Sequence, residues 1–313
     1  MEEGGMNTLP ASSSPATAPH TQEDRPLSGA AHPDHPLHWT LYGCEMVATA
    51  TLMICGVISV AVLTAPQGAV GAFLAPHPII QIALCGLFFG LSGTVAAMTP
   101  FGRVSGAHVN PSVSLAFALS GKLGWVDLCG YVIAQMVGAC LGTWLLAYAA
   151  VLFPSWGHLV TTAGYAATVP APHVSIMWPL MTELVLTALL ILMLYGLAGH
   201  PRFKELTPWA GGLFFLLLNP VSAWLSGNSS NLARSFAPAL FSGQWTSFWI
   251  YAIGPFVGAS LSVLAIRMRL FGHLEVEEAR LVNFGHHGRV PSLFHPMRRH
   301  AERQEAKIQG KEG

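Results

Sequence analysis

Across the 229 residues from Trp39 to Arg267 the chain carries only four carboxylates, Glu45, Asp127, Glu183 and Glu205. A water-facing surface cannot be built from such a stretch, so most of it must face lipid. Six apolar segments are long enough to cross about 30 Å of hydrocarbon, which takes about 20 helical residues. They are Trp39–Thr64, His77–Met98, Val126–Phe153, Met177–Ala198, Pro208–Leu225 and Thr246–Leu270. Two shorter apolar pieces, Asn110–Ser120 and Asn231–Phe241, cannot span and read as re-entrant half-helices. The expected fold is an all-α membrane protein of six transmembrane helices and two half-helices.

The ends of the chain differ from its middle. Residues 1–38 are rich in Pro, Ser, Ala and His, and residues 272–313 in Arg, Glu and His. Both lack the apolar content that offsets ordering entropy, so both are expected to be disordered tails around a membrane domain at 39–271. The N-terminal tail has no basic start followed by an apolar run, so no cleaved signal peptide is expected. With six crossings, fourteen of the fifteen Lys and Arg residues fall on one side of the membrane. They are Arg25, Arg103, Lys122, Arg202, Lys204 and the nine from Arg267 onward, whereas the loops Ala65–Pro76 and Pro154–Ile176 hold none. This asymmetry puts both termini in the cytoplasm, and the absence of an organellar address makes the cell membrane the expected location. Arg234 is the exception. A cation at membrane depth is a candidate functional residue. The five cysteines, at 44, 55, 85, 129 and 140, sit in or beside apolar spans, which favours packed free thiols over disulfides or a metal cluster.

The half-helices belong to an internal repeat. "SGAHVNPSVSLAFAL" from Ser105 and "SGNSSNLARSFAPAL" from Ser226 share seven of fifteen residues without a gap. "YVIAQMVGACLG" from Tyr131 and "YAIGPFVGASLS" from Tyr251 follow them in matching positions, and the first span of each half holds one glutamate, Glu45 or Glu183. The chain is therefore two three-helix halves, at about 39–153 and 177–271, and an odd number of crossings inverts one against the other. Inverted repeats with interrupted helices place a binding or conduction site at the midplane, where the broken elements meet. Ala134, Gly138 and Gly142, and likewise Gly254 and Gly258, recur every four residues and predict close helix contact.

"SGAHVNP" and "NLARSFAPA", with "AQMVGA" and "GPFVGA" after them, resemble the aquaporins, or major intrinsic proteins. The resemblance covers residues 39–271. It implies an aquaporin-like homotetramer in which each subunit has its own pore, passing water or small neutral solutes without a cofactor. By this resemblance Asn110 and Asn231, with Pro111 and Leu232 beside them, form the pore midplane. Each asparagine would cap a half-helix whose positive dipole end faces the other. Their amides would bind one passing water oxygen, which turns its hydrogens away from the centre and breaks a proton relay. Glu45 and Glu183 would hold loop backbone donors, although a buried carboxyl without such a role is an alternative. His108 and Arg103 would shape the cytoplasmic mouth. Leu232 stands where the family has proline. It loses the preset backbone of that residue, but leucine is a good helix former, so the half-helix is expected to form.

The resemblance also implies a four-residue selectivity filter of Phe89, Asn219, Asn228 and Arg234, with Phe89 matched by allowing one extra residue between Ala96 and Gly102. Water-selective members usually have histidine at the position of Asn219, and Ala252 stands where they often carry tryptophan. Ser235 stands where glycerol facilitators usually have aspartate, and their long insertion in the second loop is missing. The balance favours water over glycerol, urea or ammonia. "NPV" at Asn219 lacks the preceding Ser-Gly and the following arginine, so it is not a third motif, and Pro220 reads as a helix kink. Three further classes fit the sequence less well. A secondary transporter would have only Glu45 and Glu183 for ion coupling. A non-conducting scaffold would rest on Leu232 alone. An enzyme lacks a nucleophile–base pair within the spans. The histidines of "HPDHPLH" could bind a metal weakly but read as incidental, and Arg298, Arg299 and Arg303 as a solvated charge cluster.

Overall fold

A chain this apolar must satisfy its backbone within itself, and helices do so. The structure, a computed structural model, describes residues 37–272, 274, 276 and 279–281. Among these the helices are α1 (Trp39–Thr64), α2 (Ala69–Leu74), α3 (Pro78–Met98), α4 (Pro100–Ser105), α5 (Pro111–Leu119), α6 (Trp125–Leu152), α7 (Pro154–Thr162), α8 (Met177–Ala198), α9 (Thr207–Ser226), α10 (Leu232–Ser242) and α11 (Ile250–Arg267). Six are long and apolar enough to span a membrane: α1, α3, α6, α8, α9 with the short 3₁₀ turn before it, and α11. α5 and α10 are the two half-helices. α11 starts later than the apolar run predicts because Ser247, at φ 46°, holds the preceding turn in left-handed backbone. Three short helices lie outside the predicted segments. Two of them, α4 and α7, open on proline, whose missing N–H is not needed there. The expected tail at 1–36 and most of that beyond 272 lie outside the described residues.

The repeat is visible in the packing. α1 lies on α6 in one half as α8 lies on α11 in the other, and α3 meets α9 between the halves. Each half-helix also crosses over, α5 lying against α11 and α10 against α6. Small residues permit these contacts. A Cβ on Gly138 would lie 2.2 Å from the Met46 carbonyl oxygen, and one on Gly258 would lie 2.3 Å from that of Leu184. Hydroxyls add bonds between helices. Thr94 Oγ1 donates to Pro208 O at 2.7 Å and Ser262 Oγ to Ala188 O at 2.9 Å. The outer face of α6 exposes Ile133, Val137, Leu141 and Trp144 at helical spacing, as a lipid-facing surface requires. At the start of α6, Asp127 accepts from the Tyr42 hydroxyl and bonds His38 Nδ1, both at 2.7 Å, and so ties the entry to α1 down. Among the described residues all five cysteines are free thiols, with Cys129 exposed.

Gly138→Val is expected to push α6 from α1 and destabilise the bundle by about 1–3 kcal/mol, the usual range for overpacking. Gly196→Ala, where an added Cβ meets nothing within 4 Å, serves as the control. Thermal unfolding in detergent, followed by intrinsic fluorescence, should show a lower Tm for the first variant and no decrease for the second.

Candidate functional site

Two non-helical loops, residues 106–110 and 227–231, meet inside the bundle, and their backbones repeat one another. Gly106 and Gly227 have φ 91° and 79°, Ala107 and Asn228 have 54° and 51°, and Val109 and Ser230 have 45° and 50°. Non-glycine residues seldom hold left-handed backbone, so surrounding contacts must impose it. Tyr131 Oη donates to Ser105 O at 2.6 Å, and Tyr251 Oη to Ser226 O at 2.7 Å. Ser105 Oγ accepts Ala107 N at 3.1 Å as Ser226 Oγ accepts Asn228 N at 3.2 Å.

Behind the loops lie the two glutamates, both fully buried. Glu183 accepts Ser229 N through Oε1 at 2.8 Å and Ser230 N through Oε2 at 2.7 Å. Glu45 Oε1 accepts Val109 N at 2.5 Å and Gln135 Nε2 at 2.8 Å. Gln135 also donates to Ser114 Oγ at 2.9 Å, which ties α6 to α5. Sequence reasoning missed Gln135. The signal lay in the repeat itself, where Gln135 in the first half stands at the position of Pro255 in the second.

Each loop ends on an asparagine that caps a half-helix. Asn110 Oδ1 accepts the amide of Ser112 at 2.9 Å, whereas Asn231 Oδ1 accepts that of Arg234 at 3.2 Å. Pro111 and Leu232 occupy the first helical positions, and α10 forms without the proline. The two side-chain amides are engaged reciprocally. Asn110 Nδ2 donates to Ser230 O at 2.9 Å and Asn231 Nδ2 to Val109 O at 2.8 Å. Each takes the carbonyl just before the opposite asparagine. An amide carries two N–H groups, so each asparagine keeps one for a solute.

A cavity of ≈ 570 Å³ runs past both asparagines, from Thr64, Thr162 and Gln244 at one end to Thr207, Pro208 and Leu281 at the other. Phe89, Asn219, Asn228 and Arg234 line it together. The Arg234 guanidinium carbon sits 4.3 Å from the Phe89 ring centroid, within cation–π range. Its Nη1 donates to Ala166 O at 2.7 Å. That carbonyl comes from a loop in which Tyr165 and Ala166 both have positive φ, 53° and 62°, a partner with no signal in sequence. On the cavity wall, Asn228 Nδ2 donates to Asn219 Oδ1 at 3.0 Å. Pro220 lies within α9.

At the far end His108 lines the cavity, stacked on Phe117 at 4.7 Å, with Nδ1 on Ser114 Oγ at 3.0 Å and Nε2 on Ala279 O at 2.9 Å. Arg103, half-buried in the last turn of α4, offers its carbonyl to the Arg280 guanidinium. Val276, Ala279 and Arg280 are buried, so these residues depart from the disorder expected of the C-terminal tail. Among the described residues no cluster of metal-ligating side chains occurs.

Comparison with known proteins bears directly on this geometry. Residues 34–266 match the model of the family described as Major intrinsic protein. The chain is 35% identical over 246 residues to aquaporin TIP2-3 of Arabidopsis thaliana, covering 76% of this chain and 90% of that one. It is 38% identical over 178 residues to aquaporin NIP1-1 of Zea mays, a match spanning 56% of this chain and 60% of the maize protein. The lens fiber major intrinsic protein of Ovis aries is 32% identical over 211 residues, covering 66% and 76% of the two chains. Among solved structures, the aquaglyceroporin from Plasmodium falciparum superposes with a TM-score of 0.59 at 19% identity, covering 72% of this chain and 94% of that one, and so shares the fold. The chain belongs to the major intrinsic protein family, whose members are membrane channels and not enzymes.

Proposed function

We propose that this channel passes water in single file and excludes protons and ions. One observation carries the reading: the two asparagines that cap opposing half-helices line one cavity, and each keeps an N–H for a solute oxygen. A water that accepts from both amides directs its hydrogens outward, which breaks the relay a proton needs. The positive ends of α5 and α10 and the Arg234 guanidinium oppose cations. In this reading Phe89, Asn219, Asn228 and Arg234 form the selectivity filter, Glu45 and Glu183 support the loops, and His108 and Arg103 shape the cytoplasmic mouth. Pro111 and Leu232 flank the midplane. In the same reading both termini lie in the cytoplasm, which the basic residues support, the housing is a cell membrane, and the channel is a homotetramer with one pore per subunit.

A second reading, a facilitator for small neutral solutes such as glycerol, urea or ammonia, is favoured by the Asn219–Asn228 pair. These amides give the filter an uncharged wall, and asparagine is smaller than the histidine common in water-selective relatives.

Stopped-flow light scattering of proteoliposomes tests the first reading. With an impermeant osmolyte, shrinkage should be several-fold faster than in empty vesicles, and equal rates would refute a water channel. With glycerol, rapid re-swelling would move the assignment to the second reading. Asn219→His should lower the ratio of glycerol to water permeability several-fold, and an unchanged ratio would remove Asn219 from the filter. Cys85 is the one cysteine that lines the cavity. A hydrophilic mercurial should therefore slow water flux in the native chain and leave Cys85→Ser unaffected. Equal block of both would mean that water does not pass Cys85.

A further inference from the structure

Beyond α11, the described residues Val276, Ala279 and Arg280 are buried. Val276 and Ala279 are buried in one apolar cluster with Val113, Phe117, Leu190 and Leu194, and Leu281 packs against its edge. Polar contacts hold the same segment on the first loop. Leu281 N donates to Gly106 O at 2.9 Å, and Arg280 Nη1 donates to Val104 O at 3.3 Å. Arg280 Nη2 donates to Arg103 O, and Ala279 O bonds His108 Nε2 at 2.9 Å. A Cβ on Gly106 would stand 3.0 Å from Ala279 O, so only a glycine there lets the segment approach this closely. Loop carbonyls at this depth require donors, and the C-terminal residues supply them.

The second loop is covered in a related way by the chain that follows the first half. Ala171 N donates to Leu225 O at 2.8 Å. Thr168 Oγ1 bonds Ser235 Oγ at 2.6 Å, and a Cβ on Gly227 would meet the Thr168 side chain at 3.1 Å. Leu225 and Gly227 correspond to Val104 and Gly106 in the repeat. Each half therefore sends the chain beyond its third helix across the loop of the other half. In one case that chain is the segment carrying Ala166, which positions Arg234 at the cavity wall. In the other it is the C-terminal segment, whose Leu281 lines the cavity end at which His108 lies.

We propose that the C-terminal segment around Ala279, Arg280 and Leu281 is an autoinhibitory strap. Its backbone and Arg280 seat it on the first loop. Leu281 then narrows the mouth with an apolar side chain, a form of constriction that disfavours a water column. Release of the strap opens the mouth. The effect on flux rests on the channel reading above; the covering of the mouth does not.

Two readouts separate these. The full chain is compared with a chain ending at Gly272 and with Arg280→Ala and Leu281→Ala, which keep the segment should the shortened chain fail to fold. Water permeability per protein is measured in proteoliposomes. In detergent, Ala107→Cys is placed in each chain, with the native cysteines replaced by serine, and its labelling by a cationic methanethiosulfonate is timed. Ala107 lines the cavity and is 2% exposed, and the Arg234 charge opposes entry of a cationic reagent from the other end. Both permeability and labelling rate should rise several-fold in the altered chains. An unchanged labelling rate overturns the strap. Faster labelling with unchanged, measurable permeability overturns its inhibitory role. Faster labelling with no permeability in any chain upholds a strap over the mouth and refutes the channel reading instead.

Discussion

Backbone that is not helical has no water to bond at membrane depth, so every N–H and C=O in the two loops needs a protein partner or the lumen. The structure meets this demand with a few fully buried side chains. Glu183 takes two successive amides of one loop; Glu45 takes one amide of the other and a side-chain donor. A buried hydrogen bond contributes about 0.5–1.5 kcal/mol net, and leaving its donor unsatisfied costs about 1–3 kcal/mol. The tyrosines of the repeat fix the opposite ends of the loops through Ser105 and Ser226. The left-handed residues hold only because these anchors oppose their intrinsic preference, and the two asparagines are aimed by the result.

The repeat is kept in backbone and relaxed in chemistry. Where the second half has Pro255, the first has Gln135, and the carboxylate of that half divides its bonds between loop and helix accordingly. Proline at the start of α5 leaves Asn110 to cap the second helical residue. Leucine at the start of α10 leaves Asn231 to cap the third. The two caps differ by one residue, and both asparagines reach across to the carbonyl before their counterpart. The cross-bond depends on where the loop ends and not on which residue follows.

Much of this was legible in the sequence for a physical reason. Spans declare themselves by apolar length, so α1 and α8 begin and end where the apolar runs do, and the half-helices declare themselves by being too short to cross. Repetition paired Glu45 with Glu183 and Tyr131 with Tyr251 before any geometry was known. The rest depended on backbone. Nothing in the identity of Tyr165 or Ala166 announces left-handed φ, yet that conformation delivers the carbonyl that holds Arg234. Short helices such as α2 carry too few residues for a period to appear. The C-terminal contacts escaped because composition describes a whole tail. Two residues that donate to main-chain carbonyls and one that offers its own leave no trace in an average rich in Arg, Glu and His.

Inversion makes the two mouths related in fold and unlike in character. The chain crossing over the second loop turns a carbonyl toward a guanidinium and leaves a fixed cation at the cavity wall beside Phe89. The chain crossing over the first loop turns a carbonyl toward an imidazole and leaves a leucine at the cavity end. The same backbone device thus presents a polar gate-post at one end and an apolar one at the other. A charge oriented by buried hydrogen bonds screens by chemistry at all times, because breaking those bonds leaves unsatisfied groups. Leu281 donates its own amide to the Gly106 carbonyl, and in the proposed strap it leaves the cavity end with the segment that carries it. In the proposed reading, selection belongs at the Arg234 mouth and control at the His108 mouth, where Leu281 meets the cavity end.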